Sequence, residues 1–436
     1  VALVVFLLNA LMSTVLLHPE ADPEGDIHCR NPRNRAVEWF IIYKVPKTAG
    51  TSTRRQQYDL LGSEYGYIDA SMRAAQELTY IAYNDQPPTA LSNSTTNAHS
   101  KGIVLFGQQT GIWILHSVPR FPETLFSGRY SFPLSARENA QNMLCITFDI
   151  DKLDIIEFFQ YFTTQHEFIV VLHFDVIFRL AAHLRIERPN MFAASAPRAV
   201  RKRYPELDKL LNKTFSRKSP YFTNGSLLGV NGTPFFALAK GGPVNEDIYS
   251  KLIAEAVKSD LFVETWRNGR GNPLPPQCFD KYKTTDVQQV ALKVGDKTMR
   301  WKSEEDHSKW AVSVNGDWTC IGSLNRMLSQ LKRGGETLCL SDRTVHRLFM
   351  NAIVTVSQCD TQQTRTRGKT KHIEHLMRTE QANDEDKPKA EGGLRTSNEE
   401  RPSLADRISQ SGLNRMWEKQ KRKILVELEG LRASFG

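Results

Sequence analysis

The 436-residue sequence has no C-x-x-C pair, no H-E-x-x-H, no glycine-rich phosphate loop and no clear cluster of carboxylates. It therefore offers no recognisable seat for a catalytic metal or for a nucleotide held on a P-loop, and no metal or other cofactor is expected. Uninterrupted apolar runs are also scarce. The stretch from Phe168 to Leu184 is broken by His173, Asp175 and Arg179, which argues against a bilayer span. Val1 to Leu17 is almost wholly apolar but shorter than the roughly 20 residues a spanning helix needs. It reads as the remnant of a signal peptide over residues 1–20, with a membrane anchor as the alternative. Once it is removed, no stable membrane association is expected. Aromatic residues are nearly absent after Cys359. Residues 361–402 are rich in Thr, Gln, Lys, Arg, Glu and Asp and read as a disordered charged linker. In residues 403–436, Leu413, Trp417, Ile424, Leu428 and Leu431 recur at helical spacing and predict a C-terminal helix.

What is present points to the secretory route. The six cysteines (Cys29, Cys145, Cys278, Cys320, Cys339 and Cys359) are an even, dispersed set that reads as three disulfides, with spacing alone leaving every pairing open. Sequons at Asn93, Asn212, Asn224 and Asn231 fit a glycosylated lumenal chain; Asn231 is the weakest because Pro234 follows its Thr233. A formal charge of +9 favours polyanionic partners such as nucleic acid, and the 11 histidines make the chain more positive in an acidic lumen.

Between about Asp26 and Asp360 the patterning is globular. Glu38–Val45 and Thr79–Tyr83 read as strands. Ile103–Phe106 and Ile112–Leu115 flank a Gly-rich turn, and Ala311–Val314 and Asp317–Ile321 flank Asn315-Gly316; both predict hairpins. Helical patterning falls on Pro205–Leu211 and Asn245–Ser259. Mixed strands and helices indicate an α/β or α+β architecture.

One tripeptide occurs twice in matching surroundings. His99-Ser100-Lys101 and His307-Ser308-Lys309 each open a predicted hairpin. Each is followed by a Trp in the returning strand (Trp113, Trp318) and then by a Ser (Ser117, Ser323). A given H-S-K is expected only about 0.03–0.05 times in a chain of this length, so the repetition suggests duplication of a structural unit. In extended chain, residues i and i+2 share a face, so each copy presents an imidazole beside an ammonium. Two copies about a pseudo-two-fold axis would surround one phosphodiester. One imidazole could then attack phosphorus and the other protonate the leaving oxygen, with the lysines neutralising the non-bridging oxygens. A single H-x-K is more often a solvated strand edge; its duplication is what favours the chemical reading.

The duplicated H-x-K, continued by Gly322-Ser323-Leu324-Asn325, resembles the phospholipase D superfamily. The first copy has His116-Ser117-Val118-Pro119 where an Asn would be expected, and the superfamily's downstream Asp is not evident. Within the superfamily the sequence resembles the deoxyribonuclease II family. The segments that carry this are Trp39–Pro46, Tyr83–Pro88, His116–Pro122, Leu144–Phe148 and Glu305–Trp310, spread over roughly residues 29–359 in family order. The resemblance implies an α/β, phospholipase D-like pseudodimer of two mixed-sheet halves, each contributing one H-x-K. The halves would be residues 28–200 and 201–360, with 162–188, where the resemblance fades, as an insertion. It further implies a monomer that cleaves double-stranded DNA at acid pH to 3′-phosphate products, in a lysosome or outside the cell, and disulfides Cys29–Cys145, Cys278–Cys359 and Cys320–Cys339. His99, Lys101, His307 and Lys309 become the expected catalytic set, with His99 as nucleophile, His307 as acid and a phosphohistidine intermediate; the reverse assignment stays open. Asn325 is expected to orient an imidazole. His116 either supports the site or is a packed histidine. Asp306 reads as a surface residue, because neighbours on a strand face opposite ways. Arg198, Arg201, Lys202 and Arg203 form either a phosphate-contact patch or a solvated helix start. Competing readings are a lipid phosphodiesterase of the phospholipase D type and an inactive secreted DNA-binding homologue.

Overall fold

Alternating apolar residues give this chain strands buried on both faces, and the two faces feed different cores. In Trp39–Lys44, Ile41 and Tyr43 enter one cluster while Phe40 and Ile42 enter another. The next hairpin repeats the division: Val104, Trp113 and Leu115 go to the first cluster and Ile103, Leu105, Ile112 and Ile114 to the second. Period-two burial of this kind requires a sheet covered on each side.

The computed structural model describes residues 3–6, 27–31, 35–46, 79–88, 96–122, 132–150, 153–162, 167–269, 271–294 and 296–359. Its first eleven strands are β1 (Leu3–Phe6), β2 (Cys29–Arg30), β3 (Ala36–Val37), β4 (Trp39–Lys44), β5 (Thr79–Asn84), β6 (Lys101–Phe106), β7 (Thr110–His116), β8 (Gln141–Asp149), β9 (Leu153–Phe162), β10 (Glu167–Asp175) and β11 (Met191–Ser195). Seven of them form an antiparallel sheet in the order β1-β4-β8-β7-β6-β5-β11; β2 pairs with β3 and β9 with β10 as separate ribbons. The later strands are β12 (Phe222–Leu228), β13 (Pro234–Lys240), β14 (Leu261–Glu264), β15 (Thr284–Val294), β16 (Lys297–Lys302), β17 (Trp310–Ser313), β18 (Trp318–Gly322), β19 (Gly335–Ser341) and β20 (Ile353–Val356). They form a nine-stranded sheet ordered β12-β13-β19-β18-β17-β14-β15-β16, with β20 on β15. Each sheet contains an antiparallel run of the same order, β4-β8-β7-β6-β5 in one and β13-β19-β18-β17-β14 in the other.

The sheets share a core. Tyr43, Trp113 and Ile146 of the first and Trp301, Trp310 and Leu338 of the second belong to one buried cluster. Helices α1 (Val176–Glu187), α2 (Arg198–Arg203), α3 (Pro205–Leu211) and α4 (Arg343–Ala352) surround the sheets, and α1, α3 and α4 add Leu180, Leu184, Leu207 and Phe349 to that cluster. The other face of each sheet carries its own cluster and a disulfide, Cys29–Cys145 on the first and Cys320–Cys339 on the second. Cys278 and Cys359 are also disulfide-bonded, which leaves no free cysteine among the described residues. Val1–Ser357 forms one compact unit; of the second, Gln358–Gly436, only residues 358–359 are described.

Several expectations change in detail. The two predicted hairpins are β6–β7 and β17–β18, but their tryptophans are not equivalent. Val104, five residues after His99, faces Trp113, whereas Val312, five residues after His307, faces Thr319. Trp318 lies one residue out of step, half-exposed beside the turn. The span expected as an insertion divides in two: the β9–β10 ribbon pairs only with itself, while α1 buries Val176, Ile177, Leu180, Ala181, His183, Leu184 and Glu187. Residues 245–259 form a π-helical turn, Tyr249–Ile253, that runs into a short α-turn, Ala254–Val257. Asn212, Asn224 and Asn231 are exposed; Asn93, the linker 361–402 and the helix 403–436 lie outside the described residues, as does most of 1–20 apart from the edge strand β1. In the basic cluster Arg201 is engaged by Asp208 and Asn212, and Arg203 stacks over Tyr204, so α2 reads as a solvated helix with internal partners.

Candidate active site

Both H-S-K copies sit where a chain enters a central strand, His99-Ser100 before β6 and His307-Ser308-Lys309 before β17. Each is gripped by the opposite sheet. The His99 amide donates to Gly334 O (2.9 Å), in the loop before β19. The His307 amide donates to Ala140 O (2.9 Å), in the loop before β8. Gly334 has no room for a side chain, since a Cβ there would lie 1.9 Å from Glu187 O. Each gripping loop is held by a buried lysine at the end of the neighbouring strand. Lys44 Nζ donates to the carbonyls of Ala136 and Asn139 (3.1 and 2.7 Å), and Lys240 Nζ to those of Leu331 and Arg333 (both 2.8 Å).

Around the first copy the environment is ionic. Lys101 Nζ lies 2.5 Å from Asp85 Oδ1, while Asp85 Oδ2 faces Arg333 Nη2 at 3.3 Å and His99 Nε2 at 3.8 Å. Asp85 follows Asn84, whose side chain accepts from Gln86 N and donates to Val118 O and Phe121 O. The Tyr83–Pro88 and His116–Pro122 segments are thereby tied together. His99 Nδ1 lies 2.8 Å from Ser323 O. A carbonyl can only accept, so Nδ1 carries the proton and neutral His99 keeps its lone pair on Nε2. Behind the motif, Ser100 donates to Glu187 Oε1 (3.0 Å), and Glu336 accepts from Tyr83 (2.8 Å) and lies 3.3 Å from His183 Nε2.

Around the second copy the contacts are mostly neutral. His307 Nδ1 faces Gln141 Nε2 (3.3 Å), Nε2 faces Asn139 Nδ2 (3.4 Å), and the ring stacks edge-on against Trp266 with centroids 4.0 Å apart. Lys309 Nζ donates to the His307 carbonyl (2.5 Å). Beneath them Tyr43 joins the sheets: its hydroxyl donates to Asp306 and accepts from Ser308 Oγ (2.8 Å) and Trp310 Nε1 (3.1 Å).

The charges of the two copies act on each other. Burial lowers the His99 pKa well below the usual imidazole value; Asp85 opposes this, while Lys101, Arg333 and Lys309 add to it. Burial likewise brings His307 to about 3, helped by Lys309, Lys101 and Lys44. Lys309 falls to about 7 through burial and through Lys101. Each lysine is thus felt by the other copy's imidazole.

His116 is a packed histidine. Its Nδ1 accepts from Val118 N (3.2 Å), its Nε2 is buried without a partner, and burial brings its pKa to about 3. Asn325 does not take the orienting place expected of it: it is buried, its Oδ1 has no hydrogen-bond partner, and Ser323, Gln141 and Asn139 contact the imidazoles instead. Asp306 is fully buried rather than on the surface. It ends a 3-10 turn and bridges to Ala140, so strand alternation does not govern it, and it also accepts from Trp301 Nε1 and Ser308 N. Asp85, Arg333, Gln141, Asn139 and Trp266 carry no motif of their own; only Asp85 lies in a segment already singled out. Among the described residues no three His, Cys, Asp or Glu side chains are placed to hold a metal ion, and no helix is long and apolar enough to cross a membrane.

The sheets and paired motifs belong to a stretch that matches one protein family. The family model described as Deoxyribonuclease II covers residues 28–77 and 71–359, including all four motif residues, and the chain belongs to that family. It is similar to Plancitoxin-1 of Acanthaster planci, at 28% identity over 387 residues that cover 81% of this chain and 99% of that protein. It is also similar to Deoxyribonuclease-2-alpha of Mus musculus (28% over 375 residues; 81% of this chain, 98% of that one). A third relative is Cell-death-related nuclease 7 of Caenorhabditis elegans, 28% identical over 364 residues covering 77% of this chain and 89% of that protein.

Proposed function

We propose that this chain is an acid endodeoxyribonuclease of the lysosomal or extracellular space. It would hydrolyse double-stranded DNA to 3′-phosphate ends without a metal, using a pseudo-two-fold pair of H-x-K half-sites. The observation that carries this is the crossed grip, in which each motif histidine is anchored on a carbonyl of the opposite sheet. His99 Nε2 attacks phosphorus, the P–O5′ bond breaks, and the departing 5′ oxygen takes a proton from His307. Water then attacks the phosphohistidine, gives its proton to His307, and releases the 3′-phosphate as the N–P bond breaks. Lys309, buried with a carbonyl as its near partner, and Lys101 supply charge for the non-bridging oxygens.

The pH logic is more specific than a histidine that is already charged. Burial and ammonium groups hold both imidazole pKa values down, which favours the neutral rings in the free site. A phosphodiester anion between the lysines offsets that field and draws a proton onto His307, so substrate binding and protonation are linked. Calorimetry of DNA binding at pH 5 in buffers of different ionisation enthalpy should register net proton uptake.

The deciding assay is plasmid nicking across pH 4–8 with EDTA present. Wild type should cut best at acid pH, and His99→Ala and His307→Ala should each lose at least about a thousandfold in rate. Labelled DNA trapped covalently on wild type should be absent from His99→Ala. Equal cutting by wild type and His307→Ala defeats the reading; turnover of phosphatidylcholine, or DNA retention without nicking, would assign a different activity.

A further inference from the structure

The two half-sites are built on the same strand order, yet their imidazoles are held by chemically opposite groups. His99 Nδ1 meets a carbonyl, Ser323 O, which can only accept. The Nδ1 of His307 meets the side-chain amide of Gln141, which can donate from one end and accept at the other. Gln141 is the first residue of β8 and is buried. Its far end is fixed by Ser117: Ser117 Oγ donates to Gln141 Oε1 (2.6 Å) and itself accepts from Asn142 N (2.9 Å). In this arrangement Gln141 Nε2 donates to His307 Nδ1, and the neutral ring carries its proton on Nε2. A neutral imidazole has one lone pair, so both neighbouring amides cannot donate to it at once. Asn139 must therefore turn its oxygen toward the Nε2 proton.

The same atoms allow a second arrangement. If the Gln141 amide rotates by half a turn, Oε1 accepts from Nδ1–H while Nε2 donates to Ser117 Oγ. The serine proton then passes to Asn142 O, already 3.5 Å away. Every donor keeps an acceptor. This second state suits the imidazolium, and also the neutral ring left after the Nε2 proton has gone to the leaving oxygen.

We propose that Gln141, steered by Ser117, is the positioning residue that lets His307 alternate between its protonation states, while the Ser323 carbonyl holds His99 in the single tautomer a nucleophile needs. The inference rests on the reading of His99 and His307 as the reacting pair. It goes further in naming the residue that breaks their equivalence and lets only one of them change protonation state. The other groups facing His307 are Lys309 of its own motif, Lys101 of the other motif, Lys44 of β4 and the neutral Trp266. None of these can accept a proton from Nδ1, which leaves that role to Gln141.

The test compares pH–rate profiles of wild type, Gln141→Glu and Gln141→Leu in plasmid nicking, with 15N-histidine NMR of the free enzymes. A carboxylate at 141 only accepts, so Gln141→Glu should hold Nδ1 protonated, favour the imidazolium and move the acid optimum up by a pH unit or more. Gln141→Leu should lower kcat about tenfold or more with little change in KM and no upward movement of the optimum. NMR should report a bare Nδ1 on His307 in wild type and an N–H there in Gln141→Glu. Should Gln141→Glu not fold, Ser117→Ala frees the amide to rotate and should move the optimum in the same direction by a smaller amount. Unchanged profiles in the folded variants, with His307→Ala inactive, overturn the role of Gln141 and leave the pair standing; nicking by His307→Ala overturns the pair itself.

Discussion

The two H-S-K motifs have identical residues and unlike surroundings. Lys101 is tied to Asp85, which Arg333 and His99 also approach, so the first motif lysine has a carboxylate in direct contact. Lys309 has a backbone carbonyl as its near partner, with Asp306, Asp85 and Glu264 acting on it only from further away. A buried ammonium without a contacting carboxylate is costly unless an anion completes it, and a phosphate would do so. The repeated motif therefore does not carry repeated electrostatics. One copy's lysine is paired with a carboxylate, and the other's rests on a carbonyl.

The largest effect that could break this comparison is on activity. Lys309→Met should reduce DNA cleavage at pH 5 by roughly a hundredfold to a thousandfold, and Lys101→Met by about tenfold, because Arg333 remains beside Asp85. Equal losses would show that the half-sites work alike. The disulfides allow a second comparison, of stability. Cys29–Cys145 spans 116 residues and Cys320–Cys339 spans 19, so chain-entropy reasoning gives about 5 and about 3 kcal/mol. Urea unfolding of the two Cys→Ser double variants should differ by about 2 kcal/mol in that order. Smaller still is the contrast between the tyrosines that join the sheets. Tyr43→Phe strips three hydrogen bonds and Tyr83→Phe two, so the first should lower stability by about 1 kcal/mol more.

A last contrast concerns pH. Burial raises the Glu187 pKa well above the usual carboxylate value, and the nearby Glu336 raises it further. A carboxyl with a raised folded-state pKa lends stability below its unfolded value of about 4.3, and that stability is lost as pH rises through the folded one. Thermal melts of wild type should therefore drop more between pH 5 and pH 8 than those of Glu187→Gln.

Local pattern is enough for the hairpins and the duplicated motif, since Asn315-Gly316 and period-two burial act over a few residues. It is not enough for the groups that finish the site. Asp85 meets Arg333 across 248 positions and Gln141 meets His307 across 166, and no periodicity links such pairs. Strand parity misplaces Asp306 because it assumes a strand where the chain makes a turn and a bridge. The paired tryptophans mislead for a related reason, since the register of β17 against β18 puts Trp318 out of step with Trp113. Helix α1 looks foreign because its apolar residues follow an apolar ribbon without a break, yet it buries seven residues, His183 and Glu187 among them.

The crossed carbonyl anchors also bear on how the protein comes into being. A chain made from its N-terminus has His99 long before Ser323 and Gly334 exist to seat it, and His307 has no seat until it folds back onto Ala140. The His99 ring is therefore seated only after residues 323–334 have been made. Under the proposed mechanism, a copy without these anchors would leave the nucleic acid it meets uncut.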